Sequence, residues 1–227
     1  ERTGRPRYVA GALGPTTRSS RRGTPDLTML AILYLLAAFL TGLVLVQRFV
    51  PGFPTFVRLA GALVAGILLT AWVTFLTALA LSPFLDDATL AGAIIALGLN
   101  VAVVVQSRQF LDYRSLKVTP VDAALAGLSL MLSFWLMDAR LSGDPLTVSA
   151  NTWGDTALHI SLARSFSEAH NFPPEYPFFG GETIRYHFGY DFFAGALEAQ
   201  GLPIAWAFNL PGAVGFAAMM LLIFELG

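Results

Sequence analysis

Residues 27–47 read LTMLAILYLLAAFLTGLVLVQ, and this run contains no charged side chain. A helix needs about 20 apolar residues to cross the roughly 30 Å of hydrocarbon in a bilayer. The run has no two-residue alternation of apolar and polar residues, so a helix is favoured over a strand of a membrane barrel. The stretch therefore predicts a transmembrane helix.

The same pattern recurs along the chain. Apolar runs occupy residues 59–81, 88–107 and 121–141, and short segments rich in Pro, Gly and Asp separate them. We therefore expect four transmembrane helices within residues 27–141. Five glycines are expected to let these helices approach closely; they are Gly61, Gly66, Gly92, Gly98 and Gly127.

A fifth apolar segment covers residues 203–227. Asn209 is a good helix cap and Pro211 suits a first turn, so the pattern predicts that the fifth span begins there and is cut short. The chain starts at Glu1 and ends inside this apolar run. We expect a piece of a longer polytopic protein.

The composition agrees with these spans. Of 227 residues, 55% are hydrophobic and 13% are charged, against about 25% charged in a soluble domain. This excludes a water-soluble globular enzyme, and the high hydrophobicity excludes disorder. Without cysteine there is no disulfide, thiolate metal site or cysteine nucleophile. The predicted fold class is all-α, a polytopic transmembrane helical bundle with about five spans.

Residues 1–26 contain six arginines and no apolar periodicity. They predict a flexible basic tail beside the membrane, where anionic lipid attracts basic residues. No aromatic residues are interleaved as in a nucleic-acid reader, so no nucleic-acid partner is expected. A protein partner that orders the tail remains an alternative.

Residues 142–202 differ in kind from the spans. They hold all three histidines, seven of the fifteen acidic residues, two arginines and seven phenylalanines. A loop that only joined two spans would not need this aromatic content. We predict a folded, partly helical loop with two short helices that rests on the membrane face.

Charge leaves the orientation close to a tie. The loops at residues 47–58 and 107–119 carry five basic residues, and the tail at residues 1–26 carries six. The up-and-down order of the spans puts these two sets on opposite sides of the membrane. The positive-inside rule places the more basic side in the cytoplasm, and the counts of five and six barely differ.

The first predicted helix of the loop begins near Gly154. Leu158, Leu162 and Phe166 recur every four residues and form an apolar stripe. Asp155 and His159 are also four apart and share a face, which suits a carboxylate base or metal ligand with a histidine neighbour. The alternative is a favourable N-terminal helix charge and a surface histidine.

The second predicted helix covers residues 186–200 and ends at Gly201. It would place His187 and Asp191 four residues apart, which repeats the Asp/His pairing in reverse order. Before it, three prolines and a Gly-Gly pair exclude a long helix or a central strand. No His-Glu-x-x-His zinc motif is present.

The rigid turns ahead of this helix hold further candidates near the membrane surface. They are Glu175, Tyr176, Arg185, Tyr186, His187 and Tyr190. Tyrosine at this depth is commonly an interfacial belt residue, so Tyr176 and Tyr190 have that alternative.

Three motifs carry a resemblance. Gly154-Asp155-x-x-x-His159, the run from Asn171-Phe-Pro-Pro-Glu175 to Gly181, and Ile184-Arg-Tyr186-His-Phe-Gly-Tyr190 resemble a family of bacterial and archaeal polytopic membrane proteins named for a Tyr-Tyr-Tyr motif. That family is similar to the GT-C superfamily of membrane glycosyltransferases. The resemblance covers roughly residues 27–227. This chain departs from the pattern, with Tyr-His-Phe at residues 186–188 and Gly-Asp where Met-Asp is common.

The resemblance implies a lipid-linked sugar transferase. A sugar would pass from a polyprenyl-phosphate carrier to an acceptor at the extracytoplasmic face of a prokaryotic cell membrane. Asp155, His159 and Arg185 would be catalytic, with Asp155 as general base. A divalent metal, Mg²⁺ or Mn²⁺, could be held by Asp155 and His159. Membrane lipid and the donor would be partners, and the predicted substrate-binding residues are Glu175, Tyr176, Tyr186, His187, Asp191 and Arg164.

Two other classes remain as hypotheses. A non-catalytic membrane subunit would bind a larger complex through its tail and loop. A transporter would need ionisable residues within the spans, and only Asp122 and Asp138, both near span ends, are available.

Overall fold

The computed structural model of the chain describes residues 27–138, 141–142, 147–148 and 153–226. Residues 1–26 lie outside the described residues, and so do the two predictions made for them, a basic tail and a protein partner that orders it.

Five helices of the described chain are long and apolar enough to cross a membrane, which confirms the predicted all-α polytopic architecture. They are α1 (Thr28–Phe49), α2 (Thr55–Leu81), α3 (Ala88–Gln106), α4 (Pro120–Asp138) and α7 (Ile204–Leu226).

Shorter elements lie between α4 and α7. Two are helices, α5 (Trp153–Ser167) and α6 (Gly189–Ala199). The others are antiparallel pairs of short strands: β1 (Leu141–Ser142) with β2 (Thr147–Val148), and β3 (Glu175–Tyr176) with β4 (Phe179–Thr183).

Helices α1, α2 and α3 pack against one another through backbone contacts at small residues. A Cβ on Gly42 would lie 1.8 Å from the carbonyl oxygen of Ala62, and one on Gly66 would lie 2.1 Å from that of Ala38. Lipid tails give no hydrophobic force between helices, so close packing of this kind holds membrane helices together. Any larger residue at Gly42 would push α1 and α2 apart.

The predicted packing glycines have different surroundings. Gly66 and Gly92 lie against backbone atoms of neighbouring helices, Gly61 makes an ordinary contact, and Gly98 and Gly127 face open space. Composition identified small residues, but only the helix pairing decides which face of each helix is covered.

Helix α7 corrects the predicted start of the fifth span. It begins at Ile204, so Asn209 is not its cap and Pro211 lies inside the helix. An internal proline cannot bond to the carbonyl four residues earlier and disturbs that turn. The Tyr190 hydroxyl donates a hydrogen bond to the Phe208 carbonyl in this turn, so packing against α6 supports a helix that the local sequence would end.

The spans run up and down, and the bundle therefore has two ends of different charge. The acidic end comprises the turn at residues 82–87 and the described residues between α4 and α7. The basic end comprises the turns at residues 50–54 and 107–119. Five basic residues lie at or beside the basic end; they are Arg48, Arg58, Arg108, Arg114 and Lys117.

Hydrogen bonds hold the basic end together. The Gln47 side chain donates to the Asp112 carbonyl at 3.1 Å and accepts from the Asp112 N–H at 2.9 Å. Arg58 is buried and donates to the Ser115 hydroxyl at 2.9 Å and to the Ser115 carbonyl at 2.7 Å. These bonds fix the 107–119 turn against α1 and α2.

An aromatic cluster organises the acidic end. Helices α5 and α6 pack together, with a Cβ on Gly195 only 2.4 Å from the Ala163 carbonyl oxygen. Rings from α2, α5, α6 and the connecting segment lie 5.2–6.3 Å apart between centroids; they belong to Phe75, Phe166, Phe172, Phe188 and Phe192. This cluster explains much of the loop's aromatic content and confirms that it is folded.

Helix α6 is shorter than predicted. It begins at Gly189 and not at Tyr186, so His187 precedes the helix. The first helical hydrogen bond runs from the Phe192 N–H to the Phe188 carbonyl. Residues 184–188 precede this bond because they connect the β3–β4 hairpin to the helix. The predicted end is confirmed, since Gly201 follows the helix with φ +90°.

Candidate active site at the acidic end

Helices α5 and α6 bring His159 and Asp191 together. The Nδ1 atom of His159 lies 3.0 Å and 3.2 Å from the two carboxylate oxygens of Asp191. Asp191 lies in the first turn of α6, where the helix dipole favours a carboxylate, and its side chain is 1% exposed. This pair joins the two helices across the core of the acidic end.

Burial controls the charge of this pair. It raises the pKa of Asp191 from 3.8 to about 6, against the opposing effects of His159 and, more weakly, His187. A neutral His159 ring that donates from Nδ1 to an ionised Asp191 keeps Nε2 as an acceptor. A quarter of the His159 side chain is exposed, and Nε2 is the ring nitrogen that Asp191 does not contact.

The observed pairing differs from the predicted one. The sequence paired His159 with Asp155 and His187 with Asp191 along two separate helices. The structure instead joins His159 to Asp191 across those helices, because α5 and α6 pack face to face. Periodicity within one helix cannot reveal a contact between two.

Asp155 lies in the first turn of α5, as predicted. Its side chain is exposed, and its position one turn before His159 puts the two Cβ atoms about 5–6 Å apart. It forms no ion pair with another described residue. The carboxylate is therefore open to a ligand from the acidic end.

Two tilted ring contacts extend the site to the exposed Tyr186 and His187. The Tyr186 ring lies 5.8 Å from the His159 ring and 3.9 Å from the His187 ring, between centroids. Tyr186 and His187 thus reach the His159–Asp191 pair although neither belongs to a helix.

The two predicted arginines have different settings. Arg164 lies 3.4 Å from Glu198, whose carboxylate also accepts from the Ser167 hydroxyl at 2.7 Å. Burial raises the pKa of Glu198, and these contacts link α5 to α6. Arg185 is 85% exposed and lies 3.7 Å from Glu182. Arg185 is accordingly the more available cation.

Glu175 and Tyr176 belong to the β3–β4 hairpin. The Glu175 carboxylate accepts from the Gly181 N–H at 3.0 Å, and the Asn171 side chain bonds to both the N–H and the carbonyl of Glu175. Tyr176 stacks on Phe179 with centroids 5.6 Å apart. Glu175 thus stabilises the hairpin, and Tyr176 presents a ring beside it.

An apolar groove of about 330 Å³ lies between α2 and the start of α6. Leu68, Trp72 and Phe75 form its α2 wall, and Tyr186 and His187 lie at the other side. Helix α2 has 27 residues and is about 40 Å long, so about 10 Å of it exceeds the hydrocarbon thickness. The groove lies where the exposed Leu68 and Trp72 meet the folded loop.

An open cleft of about 310 Å³ lies on the other side of Tyr186. Its walls combine rings with charged and hydroxyl groups; they are Tyr176, Phe179, Glu182, Thr183, Arg185 and Tyr186. Tyr186 lines both cavities, and its ring lies 5.8 Å from the His159 ring.

Sequence reasoning missed the α2 wall of the groove and the role of Phe179. Leu68, Trp72 and Phe75 are ordinary apolar residues of a span, and only their position in the groove beside the loop distinguishes them. The one available signal was Trp72, since tryptophan is enriched at the membrane interface.

The described residues do not form a ready metal site. No group of three or more His, Asp or Glu among them could hold one ion, and Nδ1 of His159 already contacts Asp191. The pair of Asp155 and His159 therefore offers two ligands at most, and the predicted Mg²⁺ or Mn²⁺ stays a prediction.

Comparisons with known proteins agree with the membrane assignment. Residues 124–227, slightly less than half of the chain, match a family described as "Uncharacterized membrane protein (DUF2298)". This match includes most of α4, the loop between α4 and α7, and α7. Searches of curated proteins and of solved structures gave no match.

Proposed function

We propose that this integral membrane protein is a GT-C-like glycosyltransferase that moves a sugar from a polyprenyl-phosphate donor to an acceptor at the extracytoplasmic face. One observation carries the proposal: Tyr186 lines both an apolar groove beside a membrane-spanning helix and a polar cleft in the folded loop, and its ring lies 5.8 Å from that of His159 in the His159–Asp191 pair. A transferase for a lipid-linked substrate needs this combination.

The groove suits the lipid part of the donor. Its walls are almost entirely aliphatic and aromatic, and the α2 side is continuous with surface that faces hydrocarbon. A prenyl tail could enter from the bilayer, and its phosphate would then lie near Tyr186 and His187. Arg185 provides a guanidinium group suited to a phosphate oxygen.

The polar groups suit the transfer step. An acceptor hydroxyl loses a proton as the bond between sugar and phosphate breaks, and a positioned base contributes about 10²–10⁴-fold to such a step. Asp155 is the exposed carboxylate nearest along α5 to His159 and fits that role. Asp191 orients the His159 ring, so that Nε2 can accept a hydrogen bond from the acceptor hydroxyl.

The charges of the described residues, taken without the tail at residues 1–26, favour this orientation. The basic end carries five basic residues, whereas the described acidic end carries Arg164 and Arg185 among many carboxylates. The positive-inside rule then favours a cytoplasmic basic end. The six arginines of residues 1–26 precede α1 and argue for the opposite orientation, so a direct measurement is needed.

The natural absence of cysteine makes this measurement clean. Gly180→Cys reports on the acidic end and Gln109→Cys on the basic end, and both positions are exposed. A membrane-impermeant maleimide should label the first variant in intact cells and the second only after permeabilisation. The reverse pattern would place the site in the cytoplasm and refute this part of the proposal.

Asp155→Asn tests the catalytic proposal. We expect sugar transfer from a labelled polyprenyl-phosphate sugar, measured in membranes, to fall by about 10²–10⁴-fold, with expression and thermal stability unchanged. Asp86→Asn is the matched control, because Asp86 is an exposed carboxylate at the same end outside the groove and cleft. Full activity in Asp155→Asn would exclude Asp155 as the base.

A further inference from the structure

The β3–β4 hairpin has an exposed aromatic surface, whereas Phe166, Phe192 and Phe193 of α5 and α6 are buried. Phe178 at its tip is 56% exposed and Phe179 is 65% exposed. Tyr176 and Phe179 face each other across the strand pair and lie nearly parallel, with an angle of 27° between ring planes. Exposed rings that are held in place by a partner are typical of a binding surface rather than of a core.

Charged and hydroxyl groups flank this surface within the cleft. Glu182 and Arg185 are 66% and 85% exposed and lie 3.7 Å apart, and Thr183 adds a hydroxyl. A carboxylate accepts hydrogen bonds, a guanidinium donates five, and a hydroxyl does both. The cleft can therefore both donate to and accept from a ligand with several hydroxyls.

The hairpin is fixed in position rather than free to move with the ligand. Asn171 bonds twice to the Glu175 backbone, and the Glu175 carboxylate bonds to the Gly181 N–H. A binding surface built in advance loses less conformational entropy when the ligand arrives. These bonds give the Tyr176–Phe179 stack a defined orientation relative to Tyr186.

We propose that this cleft binds a pyranose saccharide, and that it is the acceptor subsite of the transferase. A pyranose ring has an apolar C–H face that stacks on aromatic rings, and equatorial hydroxyls at its edge that bond to carboxylate and hydroxyl groups. Phe179 with Tyr176 matches the face, and Glu182 with Thr183 matches the edge, while Arg185 stays available for the donor phosphate. This assignment rests on the proposed function and adds the chemical class of the acceptor.

The position of the cleft favours the acceptor over the donor. The apolar groove lies on one side of Tyr186 and the cleft on the other. A lipid-linked donor enters from the groove, so a second sugar held in the cleft would present its hydroxyl towards Tyr186 and His159. Because the cleft is open to solvent, a long saccharide could extend out of it.

Binding of simple sugars tests the cleft without any transfer reaction. Saturation-transfer NMR on the purified full chain in nanodiscs would use methyl α-glucopyranoside, methyl α-mannopyranoside and methyl β-galactopyranoside as probes. Sorbitol is the control ligand, because it has similar hydroxyls and no ring face. We expect ring C–H signals for at least one glycoside and none for sorbitol. The absence of signal for all three glycosides would overturn the inference.

A pair of neighbouring residues gives the matched variants. Phe179→Ala should weaken glycoside binding by about tenfold, and Phe179→Trp should retain it. Phe178→Ala should leave binding within about twofold, because Phe178 is similarly exposed but does not line the cleft. Equal losses in Phe178→Ala and Phe179→Ala would identify the hairpin tip as a general apolar or membrane contact and refute the subsite.

The two proposals fail separately. If glycosides bind as expected while no transfer from a polyprenyl-phosphate sugar is found, the transferase proposal fails and the saccharide site remains. If transfer occurs but Phe179→Ala changes neither glycoside binding nor the acceptor KM, the cleft is not the acceptor subsite.

Discussion

The basic and acidic ends of the bundle contain polar groups in very different settings. At the basic end, Gln47 bonds twice to the Asp112 backbone and Arg58 bonds twice to Ser115, so the main polar contacts connect parts of the protein to one another. At the acidic end, Asp155 and Arg185 are exposed, and Arg185 lines the cleft. The basic end is built for stability, and the acidic end retains groups that can act on a ligand.

The difference follows from how each end closes. Short turns join the spans at the basic end. The buried Arg58 there bonds to the hydroxyl and the carbonyl of Ser115, because an unpaired buried polar group is costly. At the acidic end, the aromatic cluster around Phe166 and Phe192 supplies the packing. Polar side chains at its edge are consequently free for other roles.

The largest expected effect concerns His159. His159→Ala should reduce sugar transfer by about 10²–10⁴-fold because the ring beside Tyr186 is lost, and the assay is transfer from a labelled polyprenyl-phosphate sugar. His170→Ala is the control, since His170 is 43% exposed and lies near Asp87 away from the cavities. Equal losses of transfer activity in His159→Ala and His170→Ala would show that His159 has no special role in the reaction.

The next effect concerns stability at the basic end. Arg58→Ala should lower the free energy of unfolding by about 2–3 kcal/mol, since two hydrogen bonds from a charged group disappear. Thermal unfolding in detergent measures this, and transfer per folded molecule should stay unchanged. Arg48→Ala, an exposed arginine over Phe49 and Phe110, should change stability far less. Lost activity in a stable Arg58→Ala protein would show that the basic end also serves the reaction.

The smallest effect is a pH dependence at the acidic end. Burial raises the pKa of Asp191 in the folded state to about 6, whereas the pKa of an aspartate in the unfolded chain is near 3.9. Between about pH 4 and 6, Asp191 is therefore protonated in the folded state and ionised in the unfolded state. Stability should therefore fall as pH rises through this range.

Asp191→Asn removes this titration and should flatten the profile by a few degrees in Tm between pH 4 and 6. Asp86→Asn should leave the profile unchanged, because Asp86 is exposed. An Asp191→Asn profile identical to that of the unmodified protein would indicate that Asp191 is ionised throughout this range.

Much of the architecture could be predicted because each span is a local property of the sequence. The run at residues 27–47 is long, apolar and uncharged, and it forms α1 almost residue for residue. The stripe of Leu158, Leu162 and Phe166 likewise predicted α5. The helix start predicted from Asn209 and Pro211 was wrong, because packing against Tyr190 supports an internal proline that isolated helices rarely tolerate.

The candidate site was only half visible in the sequence. Its residue types and their concentration in one loop were apparent, and Asp155, His159 and Asp191 were named from spacing. The side-chain contacts of these residues were not predicted, since the His159–Asp191 contact joins residues 32 positions apart. Phe179 and the α2 wall of the groove carried no distinguishing pattern, because an aromatic residue in a turn and an apolar residue in a span are both ordinary.

The sequence by itself determined that this chain is a helical membrane protein with its acidic, histidine-bearing chemistry between the fourth and fifth spans. Hydrophobicity and charge are properties of residues and of short windows, so they are readable before folding. The tertiary structure decided which histidine contacts which aspartate, and that Tyr186 lines both the groove and the cleft. These features arise from contacts between separate helices, and no local pattern records which faces will pack together.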